Sequence, residues 1–323
     1  MRRSILILVL FLVGFGLGTL TAQAQPYPSR PIQLIIPNVP GAIVDINARI
    51  LGEALGKILG TQIIPMNKPG AATTLGLDIV AKSKKDGYTL AYTGNSGLVY
   101  TRILNPETVP YDPDKDLEPL GLHVIVPLAI AVQASSPWKT FNDLIDYAKK
   151  NPGRLRVNTI GVGSTPHFAV EVIQSVTGVQ LTHVPFKGGE SVITALLGGH
   201  VEMTCDAINK FTPHIESGKM RVLLLTNKMS EFPYIPTMTE LSYKEELPSI
   251  WFGMYGPSGL PEEVTKVLVP AIEKAVKNPE LKARIEKMQF VVHYKSPAEL
   301  KKFVIEEHER MLAIAKKVGL RSK

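Results

Sequence analysis

The sequence predicts an α/β protein of two domains with mixed, mostly parallel sheets. Three observations support this. Strand-like apolar runs alternate with amphipathic stretches along the chain from Ile32 onward, the pattern of βα units. The chain has 323 residues, enough for two cores of ordinary size. Two apolar segments, Leu120 to Gln133 and Ile250 to Tyr255, are placed where the chain crosses to a second domain and back.

The elements follow in order. Ile32 to Ile36 reads as a buried strand and Pro37-Asn38-Val39-Pro40-Gly41 as a turn-rich loop. Ile43, Ile46, Ile50, Ala54 and Ile58 recur at helical spacing and predict a helix with that stripe inward. Gln62 to Pro65 is a short strand, Asn67 to Gly70 a turn, Leu75 to Lys82 a helix and Gly87 to Tyr92 a strand. Phe141 to Lys150 is an amphipathic helix and Arg154 to Ile160 a strand. Gly161-Val162-Gly163-Ser164-Thr165-Pro166 is a Gly-rich loop, and His167 to Thr177 its helix. Leu181 to Pro185, Val201 to Asp206 and Arg221 to Thr226 are strands, with a helix over Ser191 to Gly198. From Pro261 to Val318 the pattern is mostly helical, with a short strand near Phe290 to His293. No internal repeat stands out.

The N-terminus predicts the compartment. Arg2 and Arg3, an uncharged apolar stretch from Ile5 to Leu20, and Ala22-Gln23-Ala24 form the order of a secretory signal peptide. An uncleaved anchor is the alternative. Cleavage after Ala24 leaves Gln25 first, where a lipoprotein needs cysteine. The lone Cys205 allows neither a lipid there nor an intrachain disulfide. The expectation is a soluble periplasmic protein, monomeric by default. The next longest apolar run, Val124 to Val132, is too short to span a bilayer as a helix.

Charge excludes one class of partner. The net charge of +7 falls to +5 without Arg2 and Arg3. The basic patches, Lys82-Ser83-Lys84-Lys85, Lys301-Lys302 and Lys316-Lys317, lack interleaved aromatics and read as solvated faces, so no nucleic acid is expected. The excess is compatible with an anionic ligand.

Two loops at the carboxyl ends of strands, Pro37 to Asp45 and Thr159 to His167, lie where ligands sit in open α/β sheets. Each precedes a helix whose first N–H groups and dipole suit a carboxylate or phosphate. Gly41, Gly161 and Gly163 permit close backbone approach, and Ser164 and Thr165 add hydroxyls. Ordinary capped βα loops look the same. Asp45 suits a ligand contact or a backbone bond at the helix start, and Lys187 an anion contact or a surface position.

Enzyme signals are poor. Gly161 to Thr165 lacks the lysine of a P-loop and the third glycine of a dinucleotide fingerprint. Leu98 breaks a nucleophile elbow at Ser96, and Leu312 breaks a zinc motif at His308-Glu309. No cofactor or metal is expected, and Cys205 reads as packed.

The chain resembles the Bug family, the TctC-like receptors of tripartite tricarboxylate transporters. The resemblance runs over nearly the whole chain beyond the leader. It rests on Tyr27 to Ile32, Asn67-Lys68-Pro69-Gly70-Ala71, Asp86-Gly87-Tyr88-Thr89-Leu90, His183-Val184-Pro185-Phe186-Lys187-Gly188, Leu196 to Val201 and Trp251-Phe252-Gly253. It implies two α/β domains that close on a ligand as a Venus flytrap, with a carboxylate held by the two loops, partly through water. The implied loop positions are Pro40 to Asp45 and Gly161 to His167, with Thr93 to Ser96 in the same cleft and Asp206 at the ligand's far end. In full, the candidate ligand-binding residues are Asn38, Pro40, Gly41, Ala42, Asp45, Thr93, Asn95, Ser96, Thr159, Gly163, Ser164, Thr165, His167, Phe186, Lys187 and Asp206.

The sequence departs from the family at the loops. Asn38 and Val39 stand where Phe and Pro are usual, Ala42 replaces a glycine, and Val44 a hydroxyl residue. Val162 replaces an asparagine and Pro166 a small polar residue. Apart from Asn38, these changes make the cleft less polar and suggest a carboxylate with an apolar or aromatic body. The expected domains are 25–124 with 254–323, and 125–253. The expected function is a non-catalytic extracytoplasmic receptor that hands its ligand to transporter membrane subunits or a sensor. The alternatives are a periplasmic hydrolase or isomerase acting on a carboxylic acid, and a structural exported protein.

Overall fold

The computed structural model of the protein describes residues 26–186 and 189–321; the leader and its cleavage site lie outside them. The first lobe begins with β1 (Ile32–Ile36), α1 (Ile43–Leu59), β2 (Ile63–Asn67), α2 (Thr74–Ala81) and β3 (Thr89–Gly94). A π-helical turn over Ser96–Tyr100 then runs into α3 (Thr101–Leu104), and β4 spans Leu117–Val126. Pro127 interrupts the apolar stretch, and β5 (Leu128–Gln133) enters a second sheet. The second lobe continues with α4 (Phe141–Lys150), β6 (Arg156–Thr159), α5 (Thr165–Thr177), β7 (Thr182–Pro185), α6 (Gly189–Leu197), β8 (Met203–Ala207), α7 (Thr212–Glu216) and β9 (Met220–Leu225). The chain returns through β10 (Ile250–Pro257), then α8 (Glu262–Val276), α9 (Pro279–Glu286), β11 (Val291–Lys295) and α10 (Pro297–Lys317).

The two sheets share a plan. The first runs β11-β4-β10-β3-β1-β2 and the second β7-β6-β8-β5-β9. In each, three strands pair in parallel, β2-β1-β3 and β7-β6-β8, and the next strand is antiparallel. The central parallel strands β1 and β6 are followed by the two loops singled out in the sequence. Those loops therefore occupy matching positions in their sheets.

Helix α1 differs from its predicted stripe at one position. Its buried apolar residues are Val44, Ala48, Ile50, Leu51 and Leu55; of the predicted stripe, Ile43, Ala54 and Ile58 also pack against the core, while Ile46 is 40% exposed. The helix approaches β2 closely. A side chain at Gly52 would meet Ile63 at 3.3 Å, and one at Gly56 the Thr61 carbonyl at 3.0 Å. Gly52 and Gly56 take the closest approach to β2, and most of the predicted stripe packs beside them. The π-helical turn and α3 add to the predicted elements, since the apolar spacing of Asn95 to Leu104 is too short to predict a helix.

Candidate ligand cleft

A cavity of about 220 Å³ lies between the lobes, beyond the carboxyl ends of β1, β3 and β6. Of the sequence-predicted set, Asn38, Thr93, Asn95, Ser96, Gly163, Ser164 and Thr165 line it. The remaining wall is Pro37, Val44, Thr73, Gly94, Tyr100, Ile160, Pro166, Ile250 and Phe252. None of these residues carries a formal charge, so an anion here meets backbone dipoles and hydroxyls rather than an arginine or lysine.

The first loop is built around Asp45, whose carboxylate is turned away from the cavity. It accepts the Gly41 N–H at 2.9 Å, the Asn67 side-chain amide at 2.9 Å and Arg49 Nε at 3.0 Å. Asn67 also donates to the Asn38 carbonyl at 3.0 Å, tying the loop to β2. Burial alone would raise the Asp45 pKa, but Arg49, Gly41 and Asn67 hold it below the usual carboxylate range. Of the two roles the sequence left open for Asp45, the side chain takes the backbone bond at the helix start. Gly41 adopts φ +81°, a left-handed turn that an L side chain resists. Ala42 gives α1 no side-chain cap, so the N–H groups of the first turn, next to cavity-lining Val44, have no intrahelical partner. Pro40, Gly41 and Ala42 shape this turn without lining the cavity.

The second loop is braced by a capping hydroxyl and two stacked histidines, with the buried Glu171 carboxylate 3.4 Å from His167 Nε2 behind them. Ser164 caps α5 by accepting the His167 N–H at 3.3 Å and donates to the Gly161 carbonyl at 2.7 Å. The Gly163 N–H donates to His167 Nδ1 at 3.0 Å, so that nitrogen acts as an acceptor. His167 stacks on His183 with ring centres 4.1 Å apart, and His183 Nε2 shares a hydrogen bond with the Thr159 hydroxyl at 2.7 Å. Burial, then the neighbouring His167, pushes the His183 pKa down to about 4. His167 and Thr159 are therefore props behind the loop and do not line the cavity. Gly163, at φ +79°, has no room for a side chain: a Cβ there would stand 2.3 Å from Leu104 of the first lobe.

The third wall is the turn after β3. A side chain at Gly94 would collide with the Trp251 carbonyl at 2.1 Å. Asn95 is buried and donates to the Ser249 carbonyl at 2.8 Å. Opposite, Ala71, Ala72 and Thr73 all have positive φ, rare for residues with a Cβ and most strained at β-branched Thr73. The Thr73 hydroxyl is buried without a hydrogen-bond partner beside the cavity.

Two predicted residues fall elsewhere, and a third lies outside the described residues. Asp206 is fully buried at the end of β8, bonded to the Ala207 N–H at 2.8 Å and to Lys210 at 2.7 Å. Phe186 packs on the smaller apolar cluster of the second lobe. Lys187 lies outside the described residues. Sequence reasoning missed Tyr100 because the π-helical turn was not predicted, and missed Thr73 although the Asn67 to Ala71 motif leads to it. Ile250 and Phe252 lie on the predicted return strand, and the Trp251-Phe252-Gly253 motif was the available signal.

Among the described residues, no three His, Cys, Asp or Glu side chains are grouped to hold a metal. No described helix is long and apolar enough to cross a membrane. Cys205 is fully buried in β8, and burial pushes its thiol pKa up.

The model of the tripartite tricarboxylate transporter family receptor matches residues 47–320. The UPF0065 protein in the gbd 5′ region of Cupriavidus necator is 34% identical over 95% of this chain and 94% of its own length. Two solved proteins of Rhodopseudomonas palustris share the fold. One, solved with adipate, has a TM-score of 0.75 and 27% identity, covering 91% of this chain and 98% of that one. The other, MatC with bound malate, has a TM-score of 0.71 and 26% identity, covering 90% and 100%.

Proposed function

The chain belongs to the tripartite tricarboxylate transporter receptor family, and from that premise we propose that it captures a small carboxylate with an apolar body between its lobes. The observation that carries this reading is the composition of the cleft. The side-chain-uncapped N-terminus of α1 and the N-terminal loop of α5 lie against one cavity, with Ser96, Ser164 and Thr165 beside them. That arrangement suits a carboxylate. Pro37, Val44, Ile160, Pro166, Ile250 and Phe252 form an apolar part of the wall that suits a carbon skeleton, beside polar Asn38, Thr73, Thr93 and Asn95. Adipate, the ligand solved with one structural relative, has this character; malate, solved with another, is more polar. At about 220 Å³ the cavity is below the roughly 300–1,000 Å³ of drug-sized sites, which favours a small acid.

The receptor acts in the periplasm without changing its ligand and presents the closed form to transporter membrane subunits or a sensor. It works as a monomer. Its domains meet where β4 passes into β5 near Pro127 and where the chain returns into β10, so residues 26–126 with 250–321 form one and 128–225 the core of the other.

Thermal unfolding against a panel tests this: adipate, malate, citrate, benzoate and cyclohexanecarboxylate. At about 100 times its dissociation constant a ligand adds about 2.7 kcal/mol, which raises the midpoint measurably. Adipate, benzoate or cyclohexanecarboxylate is expected to raise it and to be recovered unchanged. Stabilisation by malate and citrate alone would refute the apolar-body reading, and turnover would refute the non-catalytic one.

A further inference from the structure

A second cavity, also about 220 Å³, lies behind the cleft and shares no lining residue with it. On β10, Ile250 and Phe252 face the cleft while Trp251 faces the rear cavity, the alternation of a strand. Between the two spaces runs a hydrogen-bonded chain. Tyr100, in the cleft wall, donates its hydroxyl to Glu307 Oε1 of α10 at 2.8 Å. Glu307 is buried, lines only the rear cavity, and accepts the Trp251 indole N–H at 2.5 Å on its other oxygen. Burial pushes its pKa up, against the pull of Trp251, Tyr100 and Asn95.

The same tyrosine reaches the other lobe. Thr165, in the first turn of α5, lines the same cleft as the tyrosine. The Tyr100 ring stacks on Phe168 of α5, centres 4.6 Å apart and planes 21° from parallel. Burial, then Glu307, pushes the Tyr100 pKa up, so the hydroxyl keeps the proton that it donates to Glu307. Among the described residues, Tyr100 thus joins a buried carboxylate of one lobe to the helix start that frames the anion loop of the other.

We infer that Tyr100 is a latch that holds the lobes together with α5 seated at the cleft, and that Glu307 is the positioning residue that aims it. The hydroxyl gives its hydrogen bond to Glu307 within the first lobe and so fixes the ring, and the ring stacks on Phe168 of the second lobe, a contact that requires the lobes to be together. A ligand that binds the closed state better gains from any contact favouring that state. The latch therefore sets affinity through the lifetime of the closed complex, a consequence that rests on the receptor reading. The hold on the lobes does not.

The test uses the purified protein and three substitutions, Tyr100→Leu, Phe168→Leu and Glu307→Gln, each checked for folding by thermal unfolding. Small-angle scattering without ligand is expected to show a larger mean lobe separation in each than in the wild type. With adipate as the probe, dissociation is expected to quicken up to about tenfold, the equivalent of one aromatic pair, with association nearly unchanged. Phe168 and Glu307 are bridged by Tyr100, so Phe168→Leu and Glu307→Gln should be non-additive, and additive once Tyr100→Leu is present. A folded Tyr100→Leu protein with unchanged scattering overturns the latch, as does additivity in the wild-type background. A wild type that binds no carboxylate sinks the receptor reading, while scattering still decides the latch.

Discussion

The loop after β1 is braced directly by a carboxylate, whereas the loop after β6 is braced by stacked rings and hydroxyls, with the carboxylate of Glu171 one step behind, 3.4 Å from His167 Nε2. In the first, Asp45 gathers Gly41, Asn67 and Arg49. In the second, Ser164, His167, His183 and Thr159 hold one another with no carboxylate in the loop itself. Both occupy the same place in their sheets. The comparison shows that family position fixes where the backbone goes, while the brace behind it is chosen separately. A residue in a ligand loop is therefore as often a support as a contact.

The sharpest break comes at Asp45. Asp45→Ala leaves the Gly41 N–H and the Asn67 amide without their acceptor inside a nearly closed site. Breaking such a buried network costs about 3 kcal/mol. We expect chemical denaturation to report that loss and carboxylate affinity to fall more than tenfold. Asp45→Asn keeps the shape and should recover part of both. Affinity unchanged in a destabilised Asp45→Ala protein would show that the first loop does not shape the site.

Acid separates the two braces by a smaller effect. His183 has its pKa lowered from about 6.5 to about 4, so the folded state binds fewer protons than the unfolded one between these values. Its contribution is fully present above pH 6.5 and is lost as pH falls toward 4. For this half-buried ring the loss is of the order of 1 kcal/mol. Asp45, with its pKa lowered, contributes stability above the ordinary carboxylate value that is lost only as pH falls through the depressed one. Between pH 6.5 and 4 the second loop should loosen while the first holds. Amide exchange at Gly163 and Gly41, followed over that range, checks it. Equal loosening of both, or none in the second, would erase the distinction, and His183→Asn should flatten the change at Gly163.

Much of this was legible in the sequence. Alternating elements gave the fold, and the crossing at Leu120 to Gln133 divides at Pro127 into strands of different sheets. The two loops were legible because Gly and Pro punctuate strand ends, and seven of the sixteen predicted residues line the cavity. Side-chain direction was not legible. Asp45 and Asp206 turn into their own backbone because each finds donors there, the Gly41 and Ala207 N–H groups. Tyr100 was hidden for another reason. It sits in a π-helical turn too short for a period to stand out, and its partners, Phe168 and Glu307, lie 68 and 207 residues away in sequence.

The smallest predicted effect concerns the loop tips, where the two regions are alike. Val39 is 53% exposed and Val162 64%, one on each lobe. Neither side chain is buried, and neither belongs to a brace. Val39→Asn and Val162→Asn should each change stability by no more than about 0.5 kcal/mol. Their effect is expected in ligand choice. If the apolar tips cover a carbon skeleton as the lobes meet, each asparagine weakens an aromatic or aliphatic acid by about two- to fivefold relative to malate, roughly the value of part of one buried methylene. Competition of benzoate or adipate against malate, measured by calorimetry on the double substitution, reads that ratio directly. An unchanged ratio would assign selectivity to the inner wall at Val44, Ile160 and Phe252, and would leave the tips as exposed apolar residues without a part in binding.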